Sequence, residues 1–284
     1  MGARRVFARE SDFTGTAMTR TAQGYPATAE TGGGASGRSS RLRARPPDRH
    51  PIATGERGCA LEPWYHTAKS ALLGPVKFWF NWHLEGLEKV PPQGPIIIAG
   101  NHVSYLDAFA HGHFVVEAGR RPRFLGKAEL FDNWFTGMVL RGSGQIPVRR
   151  GTGDQGPLDA ATRALAAGEV VVIYPEGTVT KNADFSPMRA KTGVVRLALA
   201  SGAPVLPVAT WGGQAVWQKS GKGSLRFGRP IWMAAGDPID LASQLRGEPG
   251  IEELRRLTEV LMGELAVLVE SMRSRYPKRW TQAE

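Results

Sequence analysis

Apolar and polar positions fall into alternating blocks from about Pro95 onward. Short apolar runs at Pro95–Ala99, Arg123–Lys127, Gln145–Arg149, Val170–Tyr174 and Pro204–Thr210 read as strands, and Leu225–Trp232 adds a later one. Helical spacing fills the intervals at about 105–118, 128–140, 157–167 and 188–201. A long amphipathic helix closes the pattern at 251–273, where Ile251, Leu254, Leu257, Leu261, Leu265 and Leu268 share one face. Strand–helix alternation of this kind predicts an α/β fold, an αβα sandwich around a mostly parallel central sheet. Ahead of it, residues 64–88 read as two short helical runs broken at Gly74–Pro75. Trp64, Tyr65, Phe78, Trp79, Phe80 and Trp82 lie there among Lys69, Lys77 and Lys89, which predicts an interfacial, membrane-associated helical element at about 63–90.

Composition changes the picture only at the N-terminus. Residues 1–57 hold ten Arg, no Lys and five acids, half of the chain's net charge of +10. Rich in Gly, Ala, Ser and Thr, residues 1–60 have few large apolar side chains to offset the entropy of ordering, and read as a disordered basic tail. The domain to expect is 61–284, with a core at 91–240 and the closing helix at 250–275. A single cysteine, Cys59, excludes a disulfide framework and any multi-cysteine metal site. No apolar run reaches the ~18 residues that a membrane-spanning helix needs.

Four short blocks carry candidate chemistry. In Asn101-His102-Val103-Ser104-Tyr105-Leu106-Asp107, directly after an apolar strand, Ser104 is a natural N-cap and Asp107 the third helical residue. That places the Asp107 carboxylate within reach of the His102 imidazole, the arrangement of a general base held by an acid. A plain capping box would explain Asp107 and leave His102 without a role. In Val170–Thr178, a buried strand ends in Pro175-Glu176-Gly177-Thr178, where Glu176 would orient an arginine or bind a hydroxyl. Arg149 and Arg150, closing Gly144-Gln145-Ile146-Pro147-Val148, form either a phosphate grip or a solvated basic edge. Lys127 and Lys191 add cationic candidates, and Gly202–Ala209 reads as packing.

In this order the blocks resemble the glycerolipid acyltransferases, specifically the lysophosphatidic acid (1-acylglycerol-3-phosphate) acyltransferases with their H-x-x-x-x-D motif. The likeness spans roughly residues 85–240, and the run 187–193 is similar to that of actinobacterial members. It implies that His102 is the catalytic base and Asp107 its orienting acid, with no acyl-enzyme. It implies further that Arg150, Glu176, Gly177 and Thr178 form the glycerol-phosphate end, with acyl-CoA or acyl carrier protein as donor co-substrate. Lysophosphatidic acid would be the acceptor, phosphatidic acid the product, and an anionic, cytoplasmic membrane face the setting, with no metal or prosthetic group. Two departures stand out: Arg149 where many members have Asp, and Val179 where many have Arg. The second leaves room for another acceptor, such as glycerol-3-phosphate, a lysophospholipid or a glycolipid.

Other classes lack their signatures. No Gly-x-Ser-x-Gly elbow supports a serine hydrolase. No basic base-reading helix supports nucleic-acid binding. His111 and His113, two apart on one helix, do not share a face for a metal. Phe131, Trp134, Phe135 and Met138 would line an acyl-chain pocket or simply pack in the core.

Overall fold

The structure, a computed structural model, describes residues 73–149 and 155–280, together with Ser70. The expected basic tail, most of the first helical run and Arg150 lie outside the described residues. A short helix α1 (Gly74–Trp79) leads into strand β1 (Asn81–Glu85). There follow β2 (Ile96–Gly100), α2 (Asp107–Glu117), β3 (Pro122–Lys127), α3 (Glu129–Asp132), α4 (Trp134–Gly142) and β4 (Ile146–Val148). The chain continues through α5 (Gly156–Ala166), β5 (Val170–Ile173), α6 (Gly193–Ser201), β6 (Val205–Trp211), β7 (Pro230–Ala235) and α7 (Ile251–Arg275).

The seven strands form one sheet in the order β1-β7-β6-β2-β5-β3-β4. Every neighbouring pair is parallel except β6–β7. The central strands are buried on both faces, so their sequences are unbroken Ile and Val runs rather than alternating ones. Ile97, Val171 and Val205 pack on one face against Leu165 of α5, Leu197 of α6 and Leu257 and Leu261 of α7. Ile96, Ile98, Val172 and Val208 pack on the other against Ala110, Phe114 and Val115 of α2. Helices therefore cover both sides of a mostly parallel sheet.

Several expectations change. The second helical run of 64–88 is a strand from Asn81, parallel to β7 in the register Asn81↔Pro230. Trp82 and Leu84 pack toward the core beneath α2, a spacing of two that the surrounding aromatics conceal. The helix expected over 128–140 splits at Asn133, whose side chain accepts from the Phe135 and Thr136 N–H groups and so caps α4. The last strand starts at Pro230 rather than Leu225, and α6 starts at Gly193 rather than 188. Of the described residues, no helix is long and apolar enough to cross a membrane.

Candidate active site

β2 and β5 are parallel neighbours, but their outgoing helices cover opposite faces of the sheet: α2 follows β2 on one side and α6 follows β5 on the other. A crevice opens at the carboxyl ends of two such strands. His102 enters it from β2 and Tyr174–Thr178 from β5. His102 Nδ1 lies 2.9 Å from Asp107 Oδ2. A carboxylate only accepts, so the proton sits on Nδ1 and Nε2 carries the free lone pair. Nε2 has no hydrogen-bond partner among the described residues, and the side chain is 15% exposed.

Asp107 is fully buried and begins α2 rather than standing third in it. Its Oδ2 also accepts the Ser104 N–H at 2.8 Å, while Ser104 Oγ accepts from the Leu106 N–H and donates to the Trp217 carbonyl. Capping and imidazole orientation therefore use the same oxygen. Oδ1 is buried without a partner, a departure from ordinary polar pairing of the kind found at functional sites.

The His102 peptide is clamped on both sides. Its N–H donates to Glu176 Oε1 at 2.9 Å and its carbonyl accepts the Thr180 N–H at 2.7 Å. Glu176 Oε2 accepts the Met188 N–H at 2.9 Å. Glu176 is thus buried and fastens two backbone segments; its hydrogen bonds go to backbone N–H groups, and burial raises its pKa above the usual carboxylate value. The Tyr174 ring stacks on His102, with centroids 4.2 Å apart and planes 18° apart. Behind it, His111 Nε2 lies 3.0 Å from the Val208 carbonyl, and Tyr174 Oη lies 3.2 Å from His111 Nδ1. Burial holds the His111 pKa below the ordinary histidine value. Nδ1 also lies 2.9 Å from the Asp107 carbonyl, so the ring is held between two backbone carbonyls with the tyrosine hydroxyl beside it. Room for that ring depends on Gly100, where a methyl would collide with His111 Nε2.

This geometry coincides with a sequence match. The profile of the Acyltransferase family fits residues 81–211, from the first residue of β1 to the last of β6. Over that span the chain is similar to the acyltransferase family. Its relatives include the 1-acyl-sn-glycerol-3-phosphate acyltransferase of Bacillus subtilis, 29% identical over 177 residues, which are 61% of this chain and 81% of that protein. The chloroplastic 1-acyl-sn-glycerol-3-phosphate acyltransferase of Brassica napus is 25% identical over 56% of this chain, and the match spans 47% of its length. In fold, the chain is similar to the crystal structure of the 1-acyl-sn-glycerophosphate (LPA) acyltransferase PlsC from Thermotoga maritima. The TM-score is 0.56 and the identity 23%, covering 78% of this chain and 83% of that one.

The cationic and Glu176–Thr178 blocks converge on one sheet edge. Lys127 ends β3 and Arg149 follows β4, both exposed at the carboxyl ends of strands parallel to β5. Lys127 Nζ lies 3.4 Å from Glu129. Gly177, at φ +70°, closes a turn by donating its N–H to the Tyr174 carbonyl; a methyl on it would sit 3.4 Å from Lys191 Nζ. Lys191 is therefore beside the crevice. Thr178 Oγ1 accepts from Lys219 Nζ at 3.3 Å. Val179 is buried and points no charge toward the site. Sequence reasoning missed Lys219, Tyr174 and Trp217; the run Lys219-Ser220-Gly221-Lys222-Gly223 was the available sign of a basic loop. Of the suggested acyl-pocket residues, Phe131 is buried, whereas Trp134 and Phe135 are exposed on the surface.

Proposed function

We propose that this protein transfers a fatty acyl chain from an acyl thioester to the free hydroxyl of 1-acylglycerol-3-phosphate, giving phosphatidic acid. The observation that carries the reading is the oriented His102–Asp107 pair, with an uncommitted Nε2 at the β2/β5 crevice. Nε2 takes the proton of the acceptor hydroxyl as its oxygen attacks the thioester carbonyl carbon. Asp107 stabilises the imidazolium that forms. The tetrahedral intermediate collapses, the C–S bond breaks, and the imidazolium returns the proton to the departing thiolate of CoA or acyl carrier protein. An ester and a thiol result, and the step balances without a metal or prosthetic group. Lys191, Lys219, Thr178 and, farther along the edge, Lys127 and Arg149 are the groups for the acceptor phosphate, together with Arg150, which lies outside the described residues.

A cytoplasmic, peripheral membrane setting completes the reading. Phe78, Trp79 and Phe227 form one exposed aromatic group, with Phe227 5.6 Å from each of the others. Leu130, Trp134 and Phe135 form another, near Lys127. Aromatics beside cations suit the interface of an anionic bilayer. Buried Val179, in place of a family arginine, favours a second acceptor as the alternative: glycerol-3-phosphate, a lysophospholipid or a glycolipid.

The test is mass-spectrometric acyl transfer from oleoyl- and palmitoyl-CoA to lysophosphatidic acid, with glycerol-3-phosphate and lysophosphatidylglycerol beside it. Wild type makes phosphatidic acid, and His102→Ala lowers the rate by about 10²–10⁴-fold. Full activity of His102→Ala would discard the mechanism; product from another acceptor alone would change the substrate.

A further inference from the structure

Away from His102, Trp280 gathers three guanidinium groups. Arg229 Cζ lies 5.0 Å from its ring centroid, Arg226 Cζ 5.4 Å and Arg279 Cζ 5.9 Å. Among the described residues no carboxylate pairs with Arg229 or Arg279. Arg229 is 95% buried by its 5% exposure, its Nη1 reaches only the Trp280 carbonyl at 3.4 Å, and its Nε is buried with no partner. Arg229 and Arg279, like charges on one ring without a carboxylate partner, repel each other, and a buried guanidinium with an orphan donor is costly. A bound anion reverses both effects.

The surroundings specify the anion. A cavity of about 200 Å³ adjoins the cluster, walled by Trp82, His83, Trp232 and Trp280, with Asn81 and Arg279 at its border. His83 and Trp232 are themselves in ring contact, 4.5 Å between centroids. Planar guanidinium forks fit phosphate oxygens, and indole walls accept a flat heterocycle. Position points the same way. Because β7 runs antiparallel to β6, with Trp211 opposite Trp232, the start of β7 lies at the sheet edge where β6 and β2 end. From β2 to β7 is two strand spacings, about 10 Å, a separation that a pantetheine arm spans. The loop joining the two places carries Lys219, bonded to Thr178, at one end and Arg226 at the other.

We propose that the Trp280–arginine cluster binds the phosphoadenosine end of a CoA thioester, with adenine in the aromatic cavity, phosphates on Arg226, Arg229 and Arg279, and the pantetheine arm directed along the sheet edge to His102. The proposal rests on the acyl-thioester reading above and names the carrier that reading leaves open.

Isothermal titration of the full chain with CoA, and its displacement by adenosine 3′,5′-bisphosphate, tests binding without chemistry. Arg226 and Arg279 are exposed, so the double variant Arg226→Ala/Arg279→Ala keeps the fold. It weakens CoA binding at least ~10-fold, the scale of one lost charged hydrogen bond. The ratio of kcat/KM for acyl-CoA to that for acyl-N-acetylcysteamine falls by a similar factor. An unchanged CoA affinity in the variant overturns the proposal. So does retained CoA binding with lost binding to phosphatidylglycerol vesicles, which assigns the arginines to a lipid surface. Failure of wild type to acylate any acceptor from acyl-N-acetylcysteamine counts against the transfer reading instead, and the CoA titration still decides the site.

Discussion

Both hydrogen bonds accepted by Asp107 fall on Oδ2, one from the His102 ring and one from the Ser104 amide, while Oδ1 is buried beside the Gly213 turn. Asp107→Asn keeps an oxygen for those two donors but removes the charge that supports an imidazolium, and it sets an NH2 group where no acceptor waits. The expected outcome is a kcat lower by about 10²–10⁴-fold with KM for both substrates near wild type, read from steady-state kinetics. At this scale much of the site was legible. His102, Asp107, Glu176–Thr178 and Lys191 are drawn together as their motif order implied. The part played by Glu176 was not legible, because its partners are the backbone N–H groups of His102 and Met188, which carry no residue code. The stack of Tyr174 on His102 was hidden for a related reason: it joins two strand ends more than seventy positions apart in the chain, within the reach of register but not of local pattern.

Among the elements, α2 is joined to the sheet through His111, whose ring lies between the Asp107 carbonyl of the helix and the Val208 carbonyl of β6. Burial lowers its pKa from 6.5, and that of His113 on the same helix likewise. Below pH 6.5 the unfolded chain therefore binds more protons than the folded one, and stability falls as the pH drops. Glu176 acts in the opposite sense: its pKa is raised from 4.5, so its contribution is lost as pH rises through the folded value. Calorimetric Tm values between pH 7 and 5 should decline for wild type and decline less for His111→Gln, which cannot take up a proton. A slope untouched by the substitution would move the acid sensitivity elsewhere. The same elements show what periodicity reveals. β2, β5 and β6 are unbroken apolar runs and declare themselves. β1 does not, since Phe80–Glu85 mixes aromatic and polar residues in a way that fits either period, and the choice is made by β7, a partner far along the chain.

At the scale of the molecule, exposed large apolar side chains among the described residues gather around Phe78 and Phe227, around Trp134 and Phe135, and at the Tyr105–Trp217 pair. Solvent-facing aromatics of this size mark a surface that meets something other than water. Trp134→Ser/Phe135→Ser should weaken co-sedimentation with phosphatidylglycerol vesicles at least ~10-fold, from the loss of about 1.5–3 kcal/mol per fully buried large side chain, without lowering Tm. Equal sedimentation of variant and wild type would leave that surface for a different partner. The edge strand β1 has a further consequence. Among the described strands it pairs with β7 alone, and Glu85 at its end is gripped by both Nη atoms of Arg275 at 2.8 and 3.0 Å, a contact that holds its pKa at about 2. β7 leaves the ribosome about 150 residues after β1, and Arg275 190 residues after Glu85, so these contacts are among the most non-local in the fold. During synthesis β2 to β6 can assemble first, while Trp82 and Leu84 wait uncovered. Of the described strands, the first to be made is thus the last to find its place.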